Sequence, residues 1–327
     1  MKVVLPLAGL GTRLRPHTFT RPKPLLPVAG KPVIAHVLDR LQGLPVSQYI
    51  FIVGWLGDQI AAYVRQHYPV PAVFLEQTEL KGQAHAVWLA RPYIDEPVLI
   101  LFAADTIIEA DWGRLERTDA DGVVYVQPVD DPRRFGVVVV ENGLIRRLVE
   151  KPQDPLSNLA VVGAYYLRDW RRLFAGIEAV MAQGLARGGE YYLADVLQWM
   201  VDQGARLRAE PVDLWVDCGT VEALLQANRT LLERGGGAVA GDQEQAVIVP
   251  PVAIAPGSRI VRAVVGPYVT VGPGATIREA VVSDSIIGEA ATIQSALLRG
   301  SIVGPQATVT GAGARLNLGE AASLQLP

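Results

Sequence analysis

A single cysteine, Cys218, in 327 residues excludes a disulfide framework within the chain and suits a reducing compartment. Histidine is scarce as well: His17, His36, His67 and His85 are the four, and none is spaced with Cys218 as a zinc-ligand set, so a zinc site is not expected. Long apolar runs are missing. From Lys2 the chain passes through six apolar residues to Gly9, too few for a signal-peptide core, and no run elsewhere reaches the roughly 20 residues of a membrane span. The expectation is therefore a cytoplasmic protein with no membrane partner. An excess of charge of one sign is lacking too: 30 Lys and Arg face 33 Asp and Glu, a net charge of −3, so no global field favours nucleic acid. What remains is an ordinary soluble balance, 50% hydrophobic and 19% charged, in a chain long enough for about two domains.

The basic character that exists is local. Val3-Val4-Leu5-Pro6-Leu7-Ala8 meets Gly9-Leu10-Gly11-Thr12, and the segment beyond carries Arg13, Arg15, Arg21, Lys23 and Lys31 with no Asp or Glu before Asp39. Glycines let backbone N–H groups approach an anion closely, and clustered Arg and Lys supply the opposing charge, so a strand ending in this loop suits a triphosphate. Two familiar phosphate motifs are absent. The dinucleotide fingerprint requires a glycine where Leu14 stands, and no Gly-x4-Gly-Lys-Ser/Thr occurs.

Downstream, Ile34, Val37, Leu38 and Leu41 follow Pro32 at helical spacing, and Ile60, Tyr63, Val64 and His67 repeat that stripe up to Pro69. Tyr49–Val53, Val73–Leu75 and Val98–Ala104 read as strands, with a helix predicted from Gln83 to Ala90. Strands alternating with helices argue for a parallel α/β sheet, whose ligands sit beyond the carboxyl ends of its strands. Val137–Val140 and Leu144–Val149 flank Asn142-Gly143 and read as a hairpin. Ala160–Leu167 and Leu214–Val216 are further strands, Tyr192–Val201 and Val221–Arg234 further helices, and Gly235-Gly236-Gly237 reads as a boundary.

Beyond those glycines the chain repeats itself. Val271-Gly272-Pro273-Gly274-Ala275-Thr276 is echoed from Ile287 and from Val303, with a looser copy from Ile254, at intervals of 17, 16 and 16 residues. Aliphatics recur six residues into each copy, at Ile260, Ile277, Ile293 and Val309. Such self-similarity marks a β-solenoid in which each coil buries its aliphatics on its neighbours. It resembles a left-handed β-helix of hexapeptide repeats, about four coils long.

The string from Gly9 to Pro16, with Pro22-Lys23-Pro24 and Gly30-Lys31-Pro32, resembles the signature of the sugar-1-phosphate nucleotidyltransferases, the nucleotide-sugar pyrophosphorylases. With the repetitive tail, the resemblance leans to long-form glucose-1-phosphate thymidylyltransferases and then to uridylyltransferases. It implies an α/β fold: a Rossmann-like nucleotidyltransferase domain with a mixed, mainly parallel sheet over residues 1–235, a linker over 236–245, and a left-handed parallel β-helix over 246–327. The implied partners are a nucleoside triphosphate and a sugar-1-phosphate, with dTTP favoured over UTP and glucose-1-phosphate as the sugar. Such a reaction aligns two polyanions and stabilises charge on phosphate, without a general base or a covalent intermediate.

The resemblance also assigns roles. Arg13 and Lys23 are the catalytic cations, and Leu7, Ala8, Gly9, Gly11 and Thr12 line the nucleotide with Gln77 and Gly82, which read the base edge. Gly136, Glu150, Lys151, Gly163, Tyr165 and Glu190 face the sugar phosphate. Asp105 and Asp217 are the Mg²⁺ ligands, a hard cation that takes one or two carboxylates plus phosphate. The chain departs from the family at Ala104-Asp105, where many members have Gly-Asp, and at Lys81-Gly82-Gln83-Ala84, where many have Leu-Gly-Thr-Ala. Cys218 reads as a small packing residue. Bifunctional relatives use a histidine in the β-helix for acetyl transfer; this tail has none, so a structural, regulatory or oligomerising role and a homo-oligomer are expected. The alternative is a catalytically inactive regulatory subunit of the same fold. Arg13, Lys23, Asp105 and Asp217 are all present, which favours the enzyme.

Overall fold

The computed structural model describes residues 1–154, 156–235, 237–311 and 316–325. The chain divides into two compact units that are not contiguous in sequence: Met1–Gly9 with Val37–Trp215, and Leu10–His36 with Val216–Pro327.

The first unit is built on nine strands: β1 (Lys2–Pro6), β2 (Gln48–Val53), β3 (Ala72–Glu76), β4 (Val98–Leu101), β5 (Gly122–Pro128), β6 (Gly136–Glu141), β7 (Leu144–Glu150), β8 (Leu159–Leu167) and β9 (Leu207–Pro211). Their order is β7-β6-β8-β4-β1-β2-β3, with β5 also on β8 and β9 on β5. The half from β4 through β1 and β2 to β3 is parallel, whereas β8 runs antiparallel to β4, β5 and β6. Val3, Val4 and Leu5, Ile50, Phe51 and Ile52, and Leu99 and Ile100 are fully buried, as the unbroken apolar runs of a sheet covered on both faces require. Helices Gly57–His67, Gln83–Leu89, Trp170–Ala182 and Leu193–Asp202 belong to this unit, and the last three pack with the sheet into one core around Ile100, Val124, Phe174 and Leu197.

Strand ends place the segments singled out in the sequence. β1 opens into Leu7–Gly9, β3 into Gln77, and β7 closes on Glu150. The β6–β7 hairpin turns at Asn142 (φ 52°) and Gly143 (φ 76°), the pair of left-handed residues that an Asn-Gly turn provides. β8 carries a register shift between Val161 and Tyr165, where Gly163 adopts φ 88°.

Some boundaries and elements differ from expectation. β4 ends at Leu101, not Ala104, and the chain turns before Asp105 into a short strand, Thr106–Glu109. The helix expected at Pro32 is Val33–Arg40, because Val28 and Lys31 pair across the Ala29-Gly30 turn. β5, β9 and the helix Trp170–Ala182 carry no turn or capping signal that the sequence reading used. Asp169 Oδ1 does cap that helix, accepting from Arg172 N–H at 3.1 Å.

The second unit contains the parallel β-helix. Its short strands stack on three faces, with six rungs from Asp242–Glu244 to Ser323–Gln325 on one and five and four on the others among the described residues. This is the left-handed β-helix the repeats imply, longer than the four coils read from them. Its first rung, Asp242–Glu244, lies inside the segment expected to be linker; its polar side chains gave no aliphatic signal. Ile260, Ile277, Ile293 and Val309 stack on one inner column and are fully buried, each worth roughly 2 kcal/mol of transfer free energy. Corners are turned by residues at positive φ, for example Arg262, Glu279 and Ser295 at 48–52°. Helix Val221–Glu233 ends at Gly235 (φ 88°); Gly236 of the expected boundary lies outside the described residues, as do 312–315 and 326–327 of the expected β-helix.

Candidate active site

In the second unit the signature segment has little regular structure, only the single turns Thr12–Leu14 and Lys23–Leu25 and a two-residue ladder. Gly11 sits at φ 64°, and a Cβ there would lie 3.0 Å from Thr18 Cγ2 and 3.3 Å from Lys23 Cβ. The fold therefore brings Gly11 and Lys23 together and demands glycine at the first. Thr18 Oγ1 donates to Gly11 O at 2.8 Å and Leu14 N–H to the same carbonyl at 3.0 Å, closing the loop that carries Thr12 and Arg13. Arg13 is exposed, whereas Lys23, between two prolines, is 7% exposed. Asp217, the last residue of the strand Leu214–Asp217, belongs to this unit, and its Oδ1 accepts from Gly219 N–H at 2.7 Å. Cys218 beside it is buried, as a packing residue should be.

The remaining candidates belong to the first unit. Leu7 N–H donates to Ile52 O at 2.7 Å, and the backbone of Ala8 runs so close to Gly54 that a Cβ there would meet Ala8 O at 2.8 Å. Gly9 has open space around it. Asp105 lies in the turn before Thr106, whose hydroxyl donates to Asp105 Oδ1 at 3.4 Å.

Gln77 and Gly82 come together at one end of the sheet. The Gln77 side chain is 7% exposed, and its Nε2 donates to Gly82 O at 3.4 Å. Gly82 (φ 91°) is obligatory, because a Cβ would lie 2.7 Å from both Tyr191 N and Tyr191 O and 2.9 Å from Glu190 Cβ. Tyr191 N–H donates to Lys81 O, and Ala84 N–H to Tyr191 O, both at 2.9 Å. These bonds clamp the segment expected to read the base against the one carrying Glu190.

The sugar-phosphate candidates form a second group in the same unit. Gly136 leaves room for Glu150: a Cβ there would stand 3.0 Å from Glu150 Oε2. Burial, only partly offset by Lys151, raises the Glu150 carboxyl above its usual range. Lys151 adopts φ 45°, its Nζ lying 3.6 Å from Glu150 Oε1 and 5.4 Å from the centre of the Tyr192 ring. Tyr165 meets Phe102 edge-on at 6.0 Å, and burial followed by the charge of Glu150 raises its phenol. Gly163 O accepts from Phe102 N–H at 2.9 Å.

The sequence reading missed two side chains here. Arg187 sits over Tyr192 at 5.1 Å and bonds both carboxylate oxygens of Asp195 at 2.8 Å, giving this group a second cation beside Lys151. Its only sequence signal was its place three residues before Glu190. His85, which lies in the stretch from Glu76 to Ala86 expected to read the base but was given no role there, has Nδ1 3.1 Å from Gln77 Nε2.

Among the described residues no three His, Cys, Asp or Glu side chains gather as a metal cluster. The donor set expected for Mg²⁺ is smaller: one or two carboxylates completed by phosphate and water. Asp105 and Asp217, with oxygen donors only, fit that chemistry. No helix among the described residues is long and apolar enough to cross a membrane.

The nucleotidyl transferase family profile matches residues 2–234. The bifunctional protein GlmU of Methanocaldococcus jannaschii is 33% identical over 251 residues, 76% of this chain and 59% of that protein, so the chain spans about three fifths of its length. A glucose-1-phosphate thymidylyltransferase of Streptomyces antibioticus is 31% identical over 273 residues, 80% of this chain and 75% of the relative. A solved Bacillus anthracis structure described as a glucose-1-phosphate thymidylyltransferase, in complex with sucrose, superposes with a TM-score of 0.62 at 28% identity. It covers 70% of this chain and 94% of its own.

Proposed function

The chain belongs to the nucleotidyl transferase family, and on that premise we propose that it joins a nucleoside triphosphate to a sugar-1-phosphate, with dTTP favoured over UTP and glucose-1-phosphate as the sugar. A phosphate oxygen of the sugar-1-phosphate attacks the α-phosphorus in line. The bond to the β-phosphate oxygen breaks, and pyrophosphate leaves with its electron pair. The observation that carries the reading is the clamp of Gln77 and Gly82 against Tyr191, which joins a base-edge amide to the segment bearing Glu190.

Each role follows from residue chemistry. Gly9, Gly11 and Thr12 offer backbone to the triphosphate. Arg13 and Lys23 stabilise charge on the transferring and leaving phosphates. Lys151, with Arg187 on the same Tyr192 ring, attracts the phosphate of the sugar. Glu150, with Gly136 making room beside its carboxylate and Gly163 beside Phe102, accepts from sugar hydroxyls. Asp105 and Asp217 would hold Mg²⁺, which neutralises phosphate charge when bound. Family membership and the names of the relatives support this assignment.

Pyrophosphate release tests it, from glucose-1-phosphate with each of dTTP, UTP, CTP, GTP and ATP, with Mg²⁺ and with a chelator. Release with dTTP or UTP that the chelator abolishes is expected. Release only with purine nucleotides would overturn the base assignment, and silence with every sugar phosphate would overturn the enzyme.

A further inference from the structure

We propose that His85 sets the base selectivity of the site by fixing which way round the Gln77 side-chain amide faces. The inference rests on the reading of Gln77 as the residue that meets the base. Gln77 is almost wholly buried, and its backbone N–H is tied to Val53 O at 2.8 Å, so the side chain has few placements. One edge of its amide meets two groups, the Gly82 carbonyl at 3.4 Å and His85 Nδ1 at 3.1 Å. A carbonyl only accepts, so Gly82 requires the NH₂ on that edge. His85 supports the same orientation when its Nδ1 carries a lone pair, which is the tautomer with hydrogen on Nε2.

The opposite corner of the amide is then Oε1, an acceptor that no hydrogen bond among the described residues engages. An acceptor there suits the N3–H of thymine or uracil and faces a lone pair in cytosine. His85 touches neither base nor phosphate in this account; it is a positioning residue. Trp88, one helical turn on, lies near-parallel to the imidazole at 6.3 Å and holds its plane. The charged groups facing His85 are Lys81 and Glu79, themselves an ion pair in the loop before the helix. Burial first, then Lys81, lowers the affinity of His85 for a proton, and Glu79 opposes them. The neutral ring is thereby kept through neutral pH.

Protonation at Nδ1 turns His85 into a donor and sets it against the NH₂ of Gln77. The charged ring then favours the amide turned half a turn while the Gly82 carbonyl still favours the first orientation, so both are populated and part of the sites presents NH₂ to the base. Selectivity for thymine and uracil over cytosine is therefore expected to weaken in acid, through affinity rather than turnover.

The test is the affinity of the full chain for dTTP, UTP and CTP, by titration calorimetry from pH 5 to 8, for the wild type and His85→Phe. Phe keeps a ring against Trp88 and removes the nitrogen. The wild type is expected to prefer dTTP and UTP over CTP at pH 7.5 and to lose part of that preference toward pH 5. In His85→Phe the preference falls about tenfold, the scale of one buried hydrogen bond, and no longer varies with pH. Circular dichroism confirms that the variant folds, and Gln77→Leu abolishes the preference in either background. An unchanged ratio in folded His85→Phe would overturn the role of His85 while leaving the pyrimidine reading intact. A wild type that binds no pyrimidine nucleotide would overturn that reading, and this inference with it.

Discussion

The two units hold their candidate residues by different means. In the first, the groups at Gln77, Gly82, Gly136, Glu150 and Tyr165 sit on or just beyond strands of a nine-stranded sheet. Nearby backbone bonds and tight glycines fix them. In the second, the signature segment from Leu10 to Pro32 has almost no regular structure of its own and is held by residues far along the chain. Ala29 N–H donates to Asn228 Oδ1 at 2.9 Å, the His17 ring bonds Asn317, and Arg21 pairs with Glu289 at 3.7 Å. Gly30 packs on Ala253 and Gly319 on Pro16. The β-helix is thus part of the framework of the phosphate-signature segment.

The largest expected effect lies at the least structured point. Arg13→Ala removes an exposed cation from the signature loop, so turnover should fall by about 3 kcal/mol of barrier, on the order of a hundredfold. Thermal stability should stay within about 0.5 kcal/mol of wild type. Pyrophosphate release and a melting curve together check this, and turnover close to wild type would remove Arg13 from catalysis.

Gly82→Ala breaks the other unit at its tightest contact. The added Cβ meets Tyr191 backbone atoms at 2.7 Å at a φ of 91°, so the strain is about 2 kcal/mol or more. Pyrimidine-nucleotide affinity should fall at least about tenfold. Gly143→Ala is the control, since Gly143 has positive φ but nothing within 4 Å. It should cost about 1 kcal/mol of stability and leave affinity unchanged. Equal affinity losses in the two variants would mean that the clamp against Tyr191 has no special role.

Asn228 tests the long-range half of the comparison. It is 1% exposed, accepts from Ala29 N–H and from Thr270 Oγ1 at 2.6 Å, and donates to Tyr268 O at 3.0 Å. The residue it holds, Ala29, sits at φ 46° in the turn between Val28 and Lys31, a conformation that persists only when its surroundings enforce it. Asn228→Ala leaves buried partners unsatisfied and should destabilise the protein by about 2–3 kcal/mol in urea unfolding. The KM for the nucleoside triphosphate should rise as the turn next to Lys31 relaxes. A stability loss without any change in KM would show that the β-helix props the fold but not the signature segment.

Much of both units was legible because that information is local. Continuous apolar runs gave β1, β2 and β4, Asn142-Gly143 gave the hairpin, and a repeated aliphatic six residues into each copy gave the β-helix. The first rung, Asp242–Glu244, was hidden because its side chains are polar and it is held by pairing with Arg259–Val261. Arg187 and His85 were hidden for a related reason: each acquires its meaning from one partner, Tyr192 or Gln77, that no periodicity announces. The partnership of Asn228 with Ala29 spans 199 residues, and nothing local in either segment encodes it.

The smallest effect sets the two units against each other in their response to acid. His17 is 5% exposed, bonds Asn317, and shares an apolar pocket with Arg21 and Glu320. Burial lowers its proton affinity, and the bond to Asn317 only partly opposes this. The unfolded chain therefore takes up the proton first, at about 6.5, and stability falls as pH drops through that value toward the lower folded one. Glu150 has the opposite sign. Burial raises its carboxyl, so its contribution is fully present below the unfolded carboxyl value near 4.3 and is lost as pH rises through the folded one. Between pH 7.5 and 5.5, His17→Gln should flatten the fall in stability by at most about 1.4 kcal/mol per pH unit, the limit for one proton. Lower down, as pH approaches the unfolded carboxyl value near 4.3, Glu150→Gln should steepen the fall, because it removes a group that gains on acidification. Urea unfolding of both variants down to that value checks the pair. Parallel profiles for wild type and His17→Gln would mean that His17 takes up its proton equally in the folded and unfolded chain, and the contact between His17 and Asn317 would then play no part in how the signature segment responds to acid.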